Sequence, residues 1–338
     1  MRFLPLALAA ALLAFAVYAA LRPDPVVAAV DEVRRANAIA GAVVAFGDPS
    51  GPPTLVTLGE ADPRRGIAMA PDARFRIASL TKPIAAAAAL RAARDGALDL
   101  DAPLPGLPVP FDPRAAAITP RMLMAHRGGL GAEGFDPMFE PARLGLPEDT
   151  PCDATALHLW STAPLLHAPD TEKAYSNVGM CLLAVATEGA TGLSLSDLLA
   201  REAEVTLGGP ATPLWARTDA GWEERLDFPE AFRRLGAAGG GTADAAALWS
   251  FAARPHPVQA QSWEGEDRYA QGWRVWPGPD GAALTHWGGI STDLFTLMVV
   301  LPDGEPVVAL FNGGVEDLDG TFRTLFAAIC SAREQTCG

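Results

Sequence analysis

Two periods of apolar and polar positions run along this chain. Across residues 26–40, Val26, Val27, Val30 and Val33 recur at helical spacing with Asp31, Glu32, Arg34 and Arg35 largely opposite, which predicts an amphipathic helix. Two short strand-like runs follow at 41–46 and 54–58, separated by the turn-rich segment 47–53. Residues 75–78 lead into an alanine-rich helix over about 79–95, closed by Gly96. The middle third is irregular and proline-rich at 102–113 and 131–151, and Thr119-Pro120 opens a short helix there with a cap and a proline in its first turn. Further helices are expected at 154–161, 177–189, 193–203 and 242–253. The last quarter reads as consecutive strands at 269–276, 282–286, 294–300 and 307–311, joined by Gly/Pro/Asp turns, with a final helix over 317–333. This order predicts an α+β fold, an antiparallel sheet flanked by helices and built from both chain ends. The sheet would draw on about 26–78 and 255–338, with a mostly helical insert over about 84–253.

Residues 3–21 form an almost unbroken apolar run, preceded by Arg2 and followed by Arg22-Pro23-Asp24-Pro25. A basic start before a hydrophobic segment is the pattern of an export signal, and the run is also near the roughly 20 residues that span a bilayer. Residues 1–22 are therefore expected to be a signal peptide or a membrane anchor, with 23–338 as one extracytoplasmic domain, periplasmic and in the second case held at the inner membrane. The formal charge of −14 makes nucleic acid and anionic membrane surfaces poor partners. Cys152, Cys181, Cys330 and Cys337 all fall in the exported part, where disulfides persist. Three pairings are open, of which Cys330–Cys337 with Cys152–Cys181 is preferred because the first pair is close in sequence; buried free thiols are the alternative. The five histidines show no metal-ligand spacing, so no metal and no cofactor are expected.

Lysine use sharpens the picture. Of 26 basic residues only Lys82 and Lys173 are lysines. A guanidinium keeps its proton in a protein, whereas a buried ammonium can give it up. Lys82 follows Ser79 by three positions at a predicted helix start, so amine and hydroxyl share a face, and the helix N-terminus disfavours the second positive charge. A serine needs such a base to become a nucleophile. Taken alone, the pair more readily describes a capping serine beside a surface lysine. The second element is Tyr175-Ser176-Asn177, built from two residue types that occur only three times each. A phenol can relay a proton, and an amide can orient both a lysine and a substrate carbonyl. The third is His286-Trp287-Gly288-Gly289 at the end of a predicted strand, where glycines allow close approach to the backbone and leave an N–H free. No Gly-x-Ser-x-Gly elbow of an α/β-hydrolase is present.

In this order and spacing the three elements resemble the serine β-lactamase-like and penicillin-binding-protein family, in the branch of class C β-lactamases, D-alanyl-D-alanine carboxypeptidases and esterases. The likeness extends to residues 75–82, 96–104, 122–130 (with His126), 238–242 and 269–273, covering about 26–333. It implies an acyl-enzyme mechanism on a small-molecule or peptide substrate, an ester, an amide or a β-lactam. Ser79 would be the nucleophile, with Lys82 and Tyr175 sharing base and acid duties. Asn177 would orient Lys82 and the substrate, and the N–H groups of Ser79 and Gly289, next to Gly288, would hold the oxyanion. His286, partly charged near neutrality, would position the substrate or assist proton transfer. The chain departs from class C enzymes in having His286-Trp287-Gly288 where they have Lys-Thr-Gly, which weakens a dedicated β-lactamase and leaves peptidase, amidase and esterase open. The competing reading is a non-catalytic, membrane-tethered penicillin-binding or sensor domain.

Overall fold

The computed structural model describes residues 22–225, 232–256, 258 and 268–337. The apolar segment 3–21 lies outside the described residues, as do 257 and 259–267 of the stretch expected to begin the second half of the sheet.

The main sheet takes strands from both ends of the chain, β1 (Gly41–Phe46), β2 (Thr54–Asp62) and β3 (Ile67–Ala68) from the first, and β9 (Arg268–Ala270), β10 (Trp273–Gly278), β11 (Gly281–Ile290), β12 (Leu294–Val300) and β13 (Pro306–Phe311) from the second. Its order is β3-β2-β1-β13-β12-β11-β10-β9, and neighbours run antiparallel. The two ends meet at β1 and β13, where Val44 pairs with Ala309. This is the α+β architecture expected from the apolar pattern.

Every residue of β1, β12 and β13 is buried, because helices cover both faces. Alternate residues sort into two cores. Ala42, Val44, Phe46, Leu297, Val299 and Phe311 join an outer core under helices α1 (Pro25–Ala36) and α9 (Leu318–Ala332). Val43, Ala45, Met298, Val308 and Leu310 face the inner core, shared with α2 (Thr81–Arg94), α3 (Pro120–Met124), α4 (Cys152–Thr162), α5 (Asn177–Thr191), α6 (Leu195–Ala203), α7 (Gly236–Gly239) and α8 (Ala245–Ala252). The period-2 geometry of a strand makes this division possible.

The insert is less purely helical than expected. It holds the hairpin β6 (Leu214–Thr218) and β7 (Gly221–Arg225), and β5 (Thr206–Leu207) and β8 (Gly241–Ala243) join β4 (Phe75–Arg76) in a small sheet ordered β4-β8-β5. Strands of two or three residues are too short to show a period, so the pattern of side chains does not reveal them. Disulfides Cys152–Cys181 and Cys330–Cys337 close in the preferred pairing, the first joining α4 to α5. Among the described residues no single helix is long and apolar enough to cross a membrane.

Candidate active site

Ser79 is delivered by the small sheet. β4 pairs with β8, Ile77 N–H donates to the Gly241 carbonyl at 3.0 Å, and Ala78 turns the chain sharply with φ +43°. A 3-10 turn, Ala78–Leu80, then feeds α2, so Ser79 sits just ahead of the α-helix rather than inside it. Thr81 Oγ1 donates to the Ala78 carbonyl at 2.7 Å and accepts from Gly241 N–H at 3.1 Å, which pins the turn to β8. One turn on, Lys82 is fully buried. Its Nζ lies 2.9 Å from Ser79 Oγ and also donates to the Ala238 carbonyl. Desolvation lowers its pKa to about 7, with the charge of Asp136 working the other way.

Tyr175 comes from the loop ahead of α5. Ser176 caps that helix, its Oγ accepting Gly179 N–H at 2.9 Å, and this leaves its neighbours free to face the site. Tyr175 Oη donates to Ser79 Oγ at 3.0 Å, and Lys82 Nζ stands 4.9 Å from the Tyr175 ring centre. Desolvation at the floor of the site raises the phenol pKa, the Ser79 hydrogen bond opposing it; the 42% of the residue open to solvent tempers the rise. His126 braces this loop. Its carbonyl accepts Ala174 N–H at 2.9 Å and its Nδ1 accepts Ser176 N–H at 3.2 Å, on either side of Tyr175. The His126 ring lies 4.3 Å, centre to centre, from both Tyr175 and Tyr269. Asn177 donates through Nδ2 to Asp136 Oδ2, while its buried Oδ1 has no partner among the described residues.

His286 differs from expectation. The ring is 1% exposed, its Nδ1 lies 2.8 Å from the Trp287 carbonyl and its Nε2 lies 2.7 Å from Tyr269 Oη. A carbonyl can only accept, so Nδ1 carries the hydrogen and Nε2 receives the tyrosine hydroxyl. Burial, reinforced by Lys82 and Arg274, holds its pKa well below the ordinary histidine value. His286 is thus a neutral brace rather than a partly charged group offered to substrate. The residue that engages its other nitrogen, Tyr269, lies in the 269–273 segment of the resemblance, but nothing in the sequence assigns it to His286.

Gly288 packs where no side chain fits. A methyl group there would lie 2.5 Å from both the Ile77 carbonyl and Thr296 Oγ1, and 3.0 Å from Ser79 N. The strand β11 therefore lies directly against the nucleophile's turn. Gly289 is less confined, since a methyl group would meet the ends of the Leu318 side chain at 2.6 and 2.9 Å.

Ser79, Tyr175, Asn177, His286 and Gly289 line one cavity of about 380 Å³, whose apolar side comes from Phe139, Leu235, Ile290 and Leu318. A larger recess of about 770 Å³ lies beside the Cys152–Cys181 disulfide and contains none of the expected site residues. The smaller one is the candidate active site, because the Ser79–Lys82 pair opens into it.

Comparison with known proteins identifies the family and the fold. The family model described as Beta-lactamase matches residues 26–328. The chain belongs to this Beta-lactamase family. It is 36% identical over 151 residues to esterase EstB of Burkholderia gladioli, which covers 41% of this chain and 38% of that protein. It is 38% identical over 130 residues to the probable fimbrial assembly protein FimD of Dichelobacter nodosus, covering 38% of this chain and 32% of that protein. The matched stretches thus span about a third of the length of these curated relatives. Among solved structures, D-amino acid amidase of Ochrobactrum anthropi superposes with a TM-score of 0.69 at 20% identity, over 91% of this chain and 99% of that one. The octameric penicillin-binding protein homologue of Pyrococcus abyssi gives 0.69 at 17% identity, over 92% and 77%. At these identities the superpositions speak to the fold.

Proposed function

We propose that this chain is an exported hydrolase that cleaves a small ester or amide through an acyl-enzyme on Ser79. The observation that carries the reading is Lys82, a buried lysine with its pKa lowered to about 7 and its Nζ 2.9 Å from Ser79 Oγ. Near neutrality a large share of such a lysine has a lone pair to offer. Ser79 Oγ bonds to the substrate carbonyl carbon, its proton passes to Lys82 Nζ, and the carbonyl electron pair moves onto oxygen. The N–H groups of Ser79 and Gly289 hold that oxyanion, a donor pair of which each member is worth about 2.7–4 kcal/mol. Collapse breaks the bond to the leaving group, which takes a proton from Tyr175, and Tyr175 recovers one from Lys82. A water molecule then attacks the acyl-Ser79 ester by the same proton route and releases the acid.

Tyr175 suits the donor role because its raised pKa keeps the phenol protonated. His286 fixes β11 beside the nucleophile and takes no proton. A neutral His286 offers no cation to a β-lactam carboxylate, leaving Arg274 as the cationic residue of the cavity lining; the similarity to EstB, named as an esterase, favours an ester. The apolar residues of the 380 Å³ cavity suit a compact, largely apolar acyl or leaving group. The apolar segment 3–21 supports export to the periplasm, as a cleaved signal or an inner-membrane anchor.

Intact-mass analysis of the full chain after exposure to a fluorophosphonate, a penicillin and a p-nitrophenyl ester tests the reading, with Ser79→Ala as control. A covalent adduct and ester turnover, both absent in the variant, are expected. Folded protein that forms no adduct and turns over no ester would point to the non-catalytic binding domain instead.

A further inference from the structure

The site contains a carboxylate that none of the three motifs includes. Asp136 lies in the irregular loop between α3 and α4, forty-one positions from the residue it engages. Its Oδ2 accepts Asn177 Nδ2, and its Oδ1 accepts Met138 N–H at 2.9 Å. Its carbonyl accepts Phe139 N–H at 3.0 Å and Glu140 N–H at 3.1 Å. Met138 is buried beside Cys181, its sulfur 3.6 Å from Cys181 Sγ, and Phe139 lines the cavity. One side chain thus ties together the first residue of α5, the loop and a wall of the active site.

We propose that Asp136 is a positioning residue of this site, which fixes the Asn177 amide and supplies the negative charge that balances Lys82. The proposal rests on the hydrolase reading above. The groups around Lys82 make the balance one-sided without it. Ser79 and Tyr175 are neutral hydroxyls, the Ala238 carbonyl is a dipole, and His126 and His286 are held uncharged by burial. Arg274 lines the same cavity and, like Lys173, adds positive charge. Asp136 is the charge that favours the protonated lysine, against a desolvation that favours the neutral one. It therefore keeps the base near neutrality instead of letting it fall further, where it would be too weak to take the serine proton. By holding Nδ2 it also fixes which end of the Asn177 amide is committed to the loop and leaves Oδ1 as the uncommitted acceptor.

The scarcity of lysine makes the test direct. With only Lys82 and Lys173 present, the full chain labelled with ¹³C at lysine Cε gives two side-chain signals, assigned by Lys173→Arg. In the wild type the Lys82 signal is expected to titrate near pH 7, as its burial requires. In Asp136→Asn, which keeps the shape and removes the charge, its midpoint should fall by about half a pH unit or more, with Lys173 moving less. The acid limb of Ser79 labelling by fluorophosphonate should follow it downward, and the maximal labelling rate should drop about tenfold. Asp136→Glu should restore the limb in part. A wild-type Lys82 that titrates in the ordinary lysine range would overturn the hydrolase reading itself. A Lys82 midpoint near 7 that neither Asp136→Asn nor Asp136→Ala moves, with labelling unchanged, would overturn the role of Asp136 alone. Because the titration reads the folded protein, near-ultraviolet circular dichroism on the same samples separates loss of charge from loss of fold.

Discussion

Lys82 is held in a state that opposes folding. The unfolded chain binds its proton up to about pH 10.5, the native chain only to about pH 7. Between those values the unfolded state carries more protons, so stability rises with pH across the window. The penalty is fully present below pH 7, on the order of 5 kcal/mol at about 1.4 kcal/mol per unit. Lys82→Met keeps most of the volume and removes the ammonium, while leaving the Ala238 carbonyl unpaired at about 1–3 kcal/mol. The variant should therefore be inactive yet melt a few degrees above the wild type at pH 6, with the gap closing by pH 10. Thermal unfolding at the two pH values checks this, and a variant less stable at pH 6 would contradict it. The two glycines of β11 separate in the same way. Gly288→Ala drives a methyl group into the Ile77 carbonyl and should lose about 1–3 kcal/mol of stability and at least tenfold in kcat. Gly289→Ala meets the movable ends of Leu318 and, more loosely at 3.3 Å, the Leu294 carbonyl, and should cost less on both counts, as urea unfolding and ester turnover would report. Residues of rare type stand out in the amino-acid sequence itself, which is why Ser79 with Lys82, and Tyr175 with Asn177, can be singled out there. Asp136 cannot, because aspartate is common in this chain and no period connects it to Asn177; Tyr269 is as rare in type as Tyr175, but nothing in the sequence pairs it with His286.

At the scale of elements, legibility follows burial. β1, β12 and β13 are covered on both faces and read as continuous apolar runs, so their expected and observed limits agree within a residue. The apolar pattern ends β11 at His286, yet its ladder with β12 continues to Ile290. Backbone pairing needs no side chain, and so the glycines hide the extension. The strand expected over 269–276 is instead two, β9 and β10, parted by Gln271 at φ +51° and Gly272 at φ +85°. The cause is steric. Gly272 lies against the first turn of α2, where a methyl group would be 2.7 Å from Pro83 Cα and 3.0 Å from the Lys82 carbonyl. Gly272 N–H also donates to the Met124 carbonyl at 3.0 Å, so this turn wedges between α3 and the helix that carries the base. Gly272→Ala combines a left-handed backbone with a clash against main chain. It should destabilise by about 2–4 kcal/mol and, by displacing Lys82, lower kcat more than it changes KM. Normal turnover with wild-type urea midpoints would show that the contact yields easily.

For the whole molecule, two buried histidines and the half-buried His256 set the response to acid. His126 and His286 are held well below the ordinary value of 6.5, and His256 is lowered to about 4, in each case mainly by desolvation. Above pH 6.5 these rings are neutral in both native and unfolded chains and contribute no pH dependence. Below it the unfolded chain takes up protons that the native one refuses, so stability present at neutral pH is lost as pH falls, down to about pH 4 for His256 and lower for the other two. Each ring contributes up to about 1.4 kcal/mol per pH unit in that range. Lys82 acts with the same sign at higher pH, and the two effects together place maximum stability on the alkaline side of neutral. The acid side of activity has a different origin. Lys82 loses its lone pair near pH 7, whereas the histidines remain neutral well below that, so hydrolysis should fade before the fold does. Urea unfolding and ester turnover measured in parallel from about pH 9 to about pH 4.5 should show the unfolding midpoint falling in two stages, between about pH 9 and pH 7 through Lys82 and again below about pH 6.5 through the histidines, with activity lost through about pH 7, ahead of the second stage. Coincident losses would mean that the base and the buried rings titrate as one unit. In that case the chain His126–Tyr175 and Tyr269–His286, which links the two catalytic loops, would be the group to examine by substitution.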